Sequence, residues 1–209
     1  MNTQTPDSNP TSSEAQLLGE LHTRLERSAG ERQLIDIAYR VVDSPIGRLL
    51  MACTEVGLVR VAFESEGHES ILDILSDKVG ARILRAPAKL DNAAWQLEEY
   101  FAGERQEFEV PLDLRLSTEF RRQVQLELSQ IGYGETWSYA RMAERLGKPK
   151  AVRAVGSACA TNPLPIVLPC HRVLRTDGSL GGYLGGLQTK TYLLRMENPD
   201  RSEDAPVLF

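Results

Sequence analysis

Cysteine is scarce in this chain: three residues in 209, at Cys53, Cys159 and Cys170, with no Cys-x-x-Cys among them. An odd, widely spaced set excludes a complete disulfide framework and fits a reducing cytoplasm, where a thiol stays free. His22, Cys53 and His68 lack the spacing of metal ligands, so no metal is expected. No apolar run approaches the length of a membrane span, and the polar N-terminus has no secretory apolar core. A membrane is therefore not an expected partner. Glycines gather at 178, 181, 182, 185 and 186, yet they spell neither the G-x-G-x-x-G fingerprint nor a Walker phosphate loop.

With 42% hydrophobic and 25% charged residues, the composition is that of a soluble globular protein, long enough for one large domain or two small ones. The net charge of −5 argues at first sight against nucleic acid, but its distribution does not. Residues 115–197 carry twelve Lys/Arg against six Asp/Glu, a net +6, which leaves −11 for the rest. A basic half beside an acidic half matches a DNA-docking module on a scaffold, although charged helix faces are ordinarily just solvated.

Taken in order, residues 1–13 are rich in Pro, Ser, Thr and Asn and are expected to be disordered. Residues 14–28 predict a helix capped by Ser13, with Leu17, Leu18, Leu21 and Leu25 on one face. Packing of that face on the acidic half is the favoured reading, a partner contact the alternative, and 1–34 is treated as an extension. Residues 35–42, 46–53 and 58–63 predict three strands, and 68–79 and 91–101 two helices. The second helix is read as capped by Asp91, with Trp95, Leu97 and Phe101 available for burial, and 108–114 as extended. Residues 35–110 thus form an α/β scaffold with a small antiparallel sheet, in an α/β (α+β) fold overall. Residues 115–198 are mainly helical, beginning with a helix over 118–131. Ser138 caps a short helix over 139–146, Gly147-Lys148-Pro149 ends it, and another follows over 150–160. Two short helices joined by a glycine-containing turn predict a helix-turn-helix, a pattern that packed helical hairpins share. A last helix covers 188–196, and 199–209 is a loose tail.

The stretch L-P-I-V-L-P-C-H-R-V at 164–173 carries the candidate chemistry. Pro169 fixes the backbone and biases Leu168 towards an extended form, so Cys170 is expected at the end of a rigid segment. A thiol is mostly protonated at neutral pH unless neighbours help, and His171 and Arg172 supply a base and a positive field. Neighbours on an extended chain point opposite ways, so His171 reaches Cys170 only through a turn or a bridging water. An isolated cysteine in an apolar run is ordinarily an inert core residue.

Pro169-Cys170-His171-Arg172-Val173 resembles the signature of the O6-alkylguanine-DNA alkyltransferases. Asn162-Pro163, Arg153-Ala-Val-Gly156 and Ser138-Tyr139 precede it at matching spacing; Gly182-Tyr183-Leu184-Gly185-Gly186, Lys190 and Leu193-Leu194…Glu197 follow. The resemblance spans residues 35–198 and implies a repair protein of this kind. Cys170 would take the alkyl group from O6-alkylguanine (and O4-alkylthymine) in one irreversible step, with no cofactor. Double-stranded DNA is the implied partner, bound by a monomer through its minor groove. Extrusion of the lesion is required, since guanine O6 cannot meet a buried thiol while stacked.

Residue by residue, the resemblance makes His171 act on Cys170 through water, oriented by Glu197, and Tyr139 the donor to the leaving guanine. Asn162 would shape the turn beneath the cysteine, and Lys190 would sit near the active-site loop. Arg153 would fill the gap left by the flipped nucleotide, with Ala151, Gly156, Ala160 and Arg172 also at the DNA. Pro165, Val173, Tyr183 and Leu184 would line the substrate pocket. Gln125 departs from the family, where tryptophan is common, and Leu184 stands where a small residue is usual. A non-enzymatic damage sensor, a DNA-binding regulator of the same fold and a thiol hydrolase are the rivals; the first lacks the cysteine that Cys170 supplies.

Overall fold

Leu, Val and Ile concentrate in three short runs separated by turn-forming residues, and in the computed structural model, which describes residues 12–31 and 34–200, these runs are strands. Strands β1 (Ile37–Val42), β2 (Leu49–Cys53) and β3 (Leu58–Phe63) form an antiparallel meander. Gly47, at φ +95°, closes the first turn through its N–H to Ser44 O at 3.1 Å, a backbone geometry that favours glycine. Helix α2 (His68–Lys78) crosses over to β4 (Ile83–Arg85), which pairs in parallel with β1 and completes the order β3-β2-β1-β4. The sheet is therefore mixed rather than wholly antiparallel. Three residues are too few for β4 to show a periodicity.

Strand β2 explains why the strands alternate poorly. Leu49 and Met51 join a large core with Leu90, Leu97 and Tyr100, while Leu50 and Ala52 pack with Ile71 and Leu75 of α2. A strand buried on both faces reads as a continuous apolar run. Helix α3 (Asp91–Phe101) presents Ala93, Gln96, Leu97 and Tyr100 to the core. Trp95, expected inside, is 55% exposed, with the Arg105 guanidinium 5.6 Å from its ring centre. Asp91 opens this helix but makes no cap; it accepts a hydrogen bond from Arg40 Nη1 at 2.7 Å instead. The segment expected to be extended near 108–114 forms no named strand and joins the sheet's backbone pairing through an isolated bridge, Leu58 to Leu112.

The same large core continues into the second half through Val124, Leu128, Trp137, Val155 and Leu193. Helix α4 (Glu119–Leu128) precedes a two-residue strand β5 (Trp137–Ser138), helix α5 (Tyr139–Arg145) and helix α6 (Val152–Ala160). Ser138 Oγ accepts from Arg141 N at 3.0 Å, the expected cap. Gly147 at φ +67° ends α5, with Gly147 N bonding Glu144 O and Lys148 N bonding Ala143 O, a Schellman stop. Strand β6 (Val173–Leu174) pairs in parallel with β5, and helix α7 (Gly186–Glu197) closes the fold.

Helix α1 (Ser12–Glu31) includes Ser13 within it, so that residue is not its cap. Leu17, Leu18, Leu21 and Leu25 are each about half exposed, so the expected packing of this face on the acidic half does not occur. The expected disorder of 1–13 falls mostly outside the described residues, as does most of the 199–209 tail.

Candidate active site

The β5–β6 pair brings the two halves of the site together. Tyr139 follows β5 directly, and the 3-10 turn Cys170–Arg172 precedes β6 directly, so the register Trp137↔Val173 sets both beside one another. The approach to Cys170 is not extended. Residues 163–168 form bends and turns, with Leu168 N bonding Leu164 O at 2.8 Å and Ile166 held at φ +75°. A β-branched residue there is strained, and such strain persists only where the surroundings fix it. Asn162 is the fixing residue: its Oδ1 accepts from Leu164 N at 3.1 Å and its Nδ2 donates to Leu168 O at 2.8 Å. The same Nδ2 lies 3.2 Å from Cys170 Sγ.

Cys170 is 3% exposed, and burial pushes its thiol pKa up, against the pull of the Asn162 hydrogen bond and the Lys190 charge. The rigid, buried setting expected for this sulfur is present, but the adjacent His171 and Arg172 do not lower its pKa; burial dominates, because the segment leading to it is core. Lys190 is wholly buried and donates from Nζ to Val173 O at 2.6 Å. It is a charged group held inside the fold rather than a surface cation.

His171 is also wholly buried, and burial lowers its pKa, so the ring is neutral. Its Nε2 lies 2.7 Å from Glu197 Oε1, which makes Nε2 the protonated nitrogen and leaves Nδ1, which has no partner among the described residues, as a free lone pair. Glu197 is pushed up by burial, but hydrogen bonds from His171 and Arg172 outweigh this and hold it at about 2. Arg172 is not on a DNA-facing surface. It is 6% exposed and grips Glu197 through Nε at 2.8 Å and Nη2 at 2.9 Å, with Nη1 on Ile131 O at 2.6 Å. A buried carboxylate needs a paired cation, and Arg172 is that partner.

Tyr139 is half-buried, and burial together with the two nearby thiols raises its pKa to about 12. Gly181 packs against the Tyr139 hydroxyl so tightly that a Cβ there would overlap it. Tyr183 stands edge-on to Phe63 at 5.6 Å and to His171 at 6.4 Å, tying the glycine-rich loop to β3. Pro165 and Val173 are buried beside the cysteine turn. Leu184 lines a groove of about 320 Å3 with Ile71, Ile74, Arg121 and Ala160. Ala160 therefore borders α2 as well as the exposed face of α6.

On α6, Val155, Ala158 and Cys159 point inward, while Arg153, Ala154, Ser157 and Ala160 are exposed. Ala151 and Gly156 are half-buried, and open space surrounds the position a Gly156 Cβ would take. The outward face is thus bare except for one long cation. Sequence reasoning missed Tyr100, Gly134 and the Ile131 carbonyl, all of which meet the Glu197–Arg172 pair. Nothing in a tyrosine at the end of an amphipathic helix marks it as polar-network rather than core.

Fold and site together define a helix-turn-helix protein built around one buried, hydrogen-bonded thiol. Residues 119–199 match the family described as "6-O-methylguanine DNA methyltransferase, DNA binding domain", and residues 37–114 its ribonuclease-like domain. The methylated-DNA–protein-cysteine methyltransferase of Mycolicibacterium paratuberculosis is 44% identical over 161 residues, covering 77% of this chain and 92% of that protein. Its counterpart from Methanosarcina barkeri is 40% identical over 162 residues, covering 76% and 96%. The crystal structure of Mycobacterium tuberculosis O6-methylguanine methyltransferase is similar at a TM-score of 0.69 and 39% identity, covering 80% and 96%; the same protein in complex with DNA gives 0.66 and 40%, covering 78% and 93%. The chain belongs to the 6-O-methylguanine-DNA methyltransferase family.

Proposed function

We propose that this protein repairs DNA by moving the alkyl group of O6-alkylguanine, and of O4-alkylthymine, onto Cys170. DNA is its partner, and methylated-DNA–protein-cysteine methyltransfer its activity. In the proposed step the Cys170 proton passes to His171 Nδ1 by way of water. The sulfur then attacks the alkyl carbon, the C–S bond forms, and the C–O6 bond breaks. Tyr139, protonated at neutral pH because its pKa lies at about 12, supplies hydrogen-bonding or a proton to the departing guanine. The thioether product is a very poor leaving group, so each chain acts once.

The observation that carries Cys170 as acceptor is the Asn162 Nδ2 contact at 3.2 Å: it is a donor aimed at the sulfur, whereas Cys53 Sγ only meets the Lys89 carbonyl at 3.9 Å. The bare face of α6 supports minor-groove docking, with Arg153 taking the place of a nucleotide swung into the site. In this reading residues 35–110 are the scaffold, 115–198 bind DNA and accept the alkyl group, and a monomer in the cytoplasm suffices. Among the described residues no helix is long and apolar enough to cross a membrane.

Duplex DNA carrying methyl-labelled O6-methylguanine tests this. Label on protein should saturate at one group per chain, vanish in Cys170→Ala, and persist in Cys53→Ala and Cys159→Ala. Label released catalytically into a small product, or retained by Cys170→Ala, would overturn the reading.

A further inference from the structure

The Glu197 carboxylate is shared by the two halves of the molecule. Its Oε1 accepts from His171 Nε2 at 2.7 Å, from Arg172 Nη2 at 2.9 Å and from the Tyr100 hydroxyl at 2.6 Å. Its Oε2 accepts from Arg172 Nε at 2.8 Å and from Gly134 N at 3.3 Å. Tyr100 lies on α3, in the half that the sequence marks as scaffold, and it is wholly buried. Its ring is held by Phe101 and Phe108, each 5.4 Å away between centres, and by Tyr133 at 6.1 Å. A phenol gripped on several sides cannot turn its hydroxyl elsewhere.

We infer that Tyr100 is a positioning residue of the transfer site, its hydroxyl setting how strongly Glu197 holds the His171 proton. This rests on the proposed roles of Cys170, His171 and Glu197. The groups that face His171 are Glu197 and Lys190 on α7, Arg172 and Cys170 on its own turn, the Tyr183 ring and, through Glu197, Tyr100. Lys190 and Arg172 oppose a second proton on the imidazole, and Glu197 alone favours one. Every donor on Oε1 draws charge from that carboxylate and makes it a weaker acceptor towards Nε2–H. Tyr100 thereby helps keep His171 neutral, with Nδ1 open to take the thiol proton. Burial and the Glu197 charge both oppose ionisation of the Tyr100 phenol, so it donates throughout the working pH range.

The test is the pH profile of methyl transfer to Cys170 in wild type, Tyr100→Phe and Glu197→Gln, with thermal melts alongside. Losing one donor makes Glu197 a stronger acceptor and raises the His171 pKa. In Tyr100→Phe the acid limb should move up by about half a pH unit, roughly a threefold loss on that limb, with the alkaline plateau kept. A uniform loss at every pH, or an unmoved profile, overturns the inference. If Tyr100→Phe does not fold, 3-fluorotyrosine placed at position 100 is a stronger donor and should move the limb down; no movement again overturns it. Full activity in Glu197→Gln would remove the site reading itself, whereas a slow Glu197→Gln beside an unmoved Tyr100→Phe removes only the role of Tyr100.

Discussion

Two arginines that look alike in the sequence have opposite fates. Arg172 spends its guanidinium on Glu197 and the Ile131 carbonyl inside the protein, whereas Arg153 stands exposed on α6. Arg172→Met strands a buried carboxylate and is expected to lower stability by about 3–5 kcal/mol, measured by chemical denaturation. Arg153→Ala should leave stability within about 0.5 kcal/mol. It should weaken binding to lesion-bearing duplex instead, measured by titration of labelled DNA, because the gap left by the swung-out nucleotide is no longer filled. Equal loss of stability in both variants would show the two are not distinguished as the fold places them. Asn162, Cys170, His171, Tyr139 and Glu197 were all reachable from a motif and its spacing. The seat of Arg172 was not: adjacency to a reactive cysteine says nothing about which way a side chain turns once a 3-10 turn replaces an extended chain.

Among the elements, α6 shows how a helix can be built for contact rather than for its own stability. Gly156 has helical backbone with free space where a Cβ would go, so nothing inside the protein demands glycine there. Gly156→Ala is expected to stabilise the fold by up to about 1 kcal/mol through helix propensity alone. The added methyl also lifts the helix from any surface pressed on it, so DNA affinity should fall as the melting temperature rises. Unchanged affinity would mean that DNA does not approach this face. The helices and the meander were legible because their apolar spacing and turn residues agree. Strand β4 was not, being three residues held by pairing with β1, nor was the outward Trp95, whose ring stays more than half exposed beside the Arg105 guanidinium. The α1 leucines carried a helical signal correctly and a packing signal that the body does not honour.

At the scale of the whole molecule, a buried ionic cluster links stability to pH. Burial keeps His171 neutral below its ordinary 6.5, so acid protonates the unfolded chain first and stability should fall as pH drops through 6.5. Glu197, at about 2 in place of 4.5, adds a further loss as pH falls below 4.5. Urea titrations across that range should show decreasing stability in wild type and, in Glu197→Gln, a flatter dependence below pH 4.5, where the carboxylate contribution is lost. A wild-type stability that does not fall with acid would contradict the cluster as described. Charge asymmetry along the chain announced a DNA-facing half, but not that the acidic half supplies a phenol to the reacting cluster, because that contact joins residues 97 positions apart.

The near-complete enclosure of the Cys170 sulfur has one more consequence. A protein that can react only once is wasted by any stray electrophile that reaches it in solution. With its thiol neutral, 3% exposed and hydrogen-bonded by Asn162, the unliganded chain is expected to react slowly with dissolved methylating agents, peroxides and mixed disulfides. Half-buried Cys53 is the more open of the two sulfurs, so such reagents should label it before Cys170.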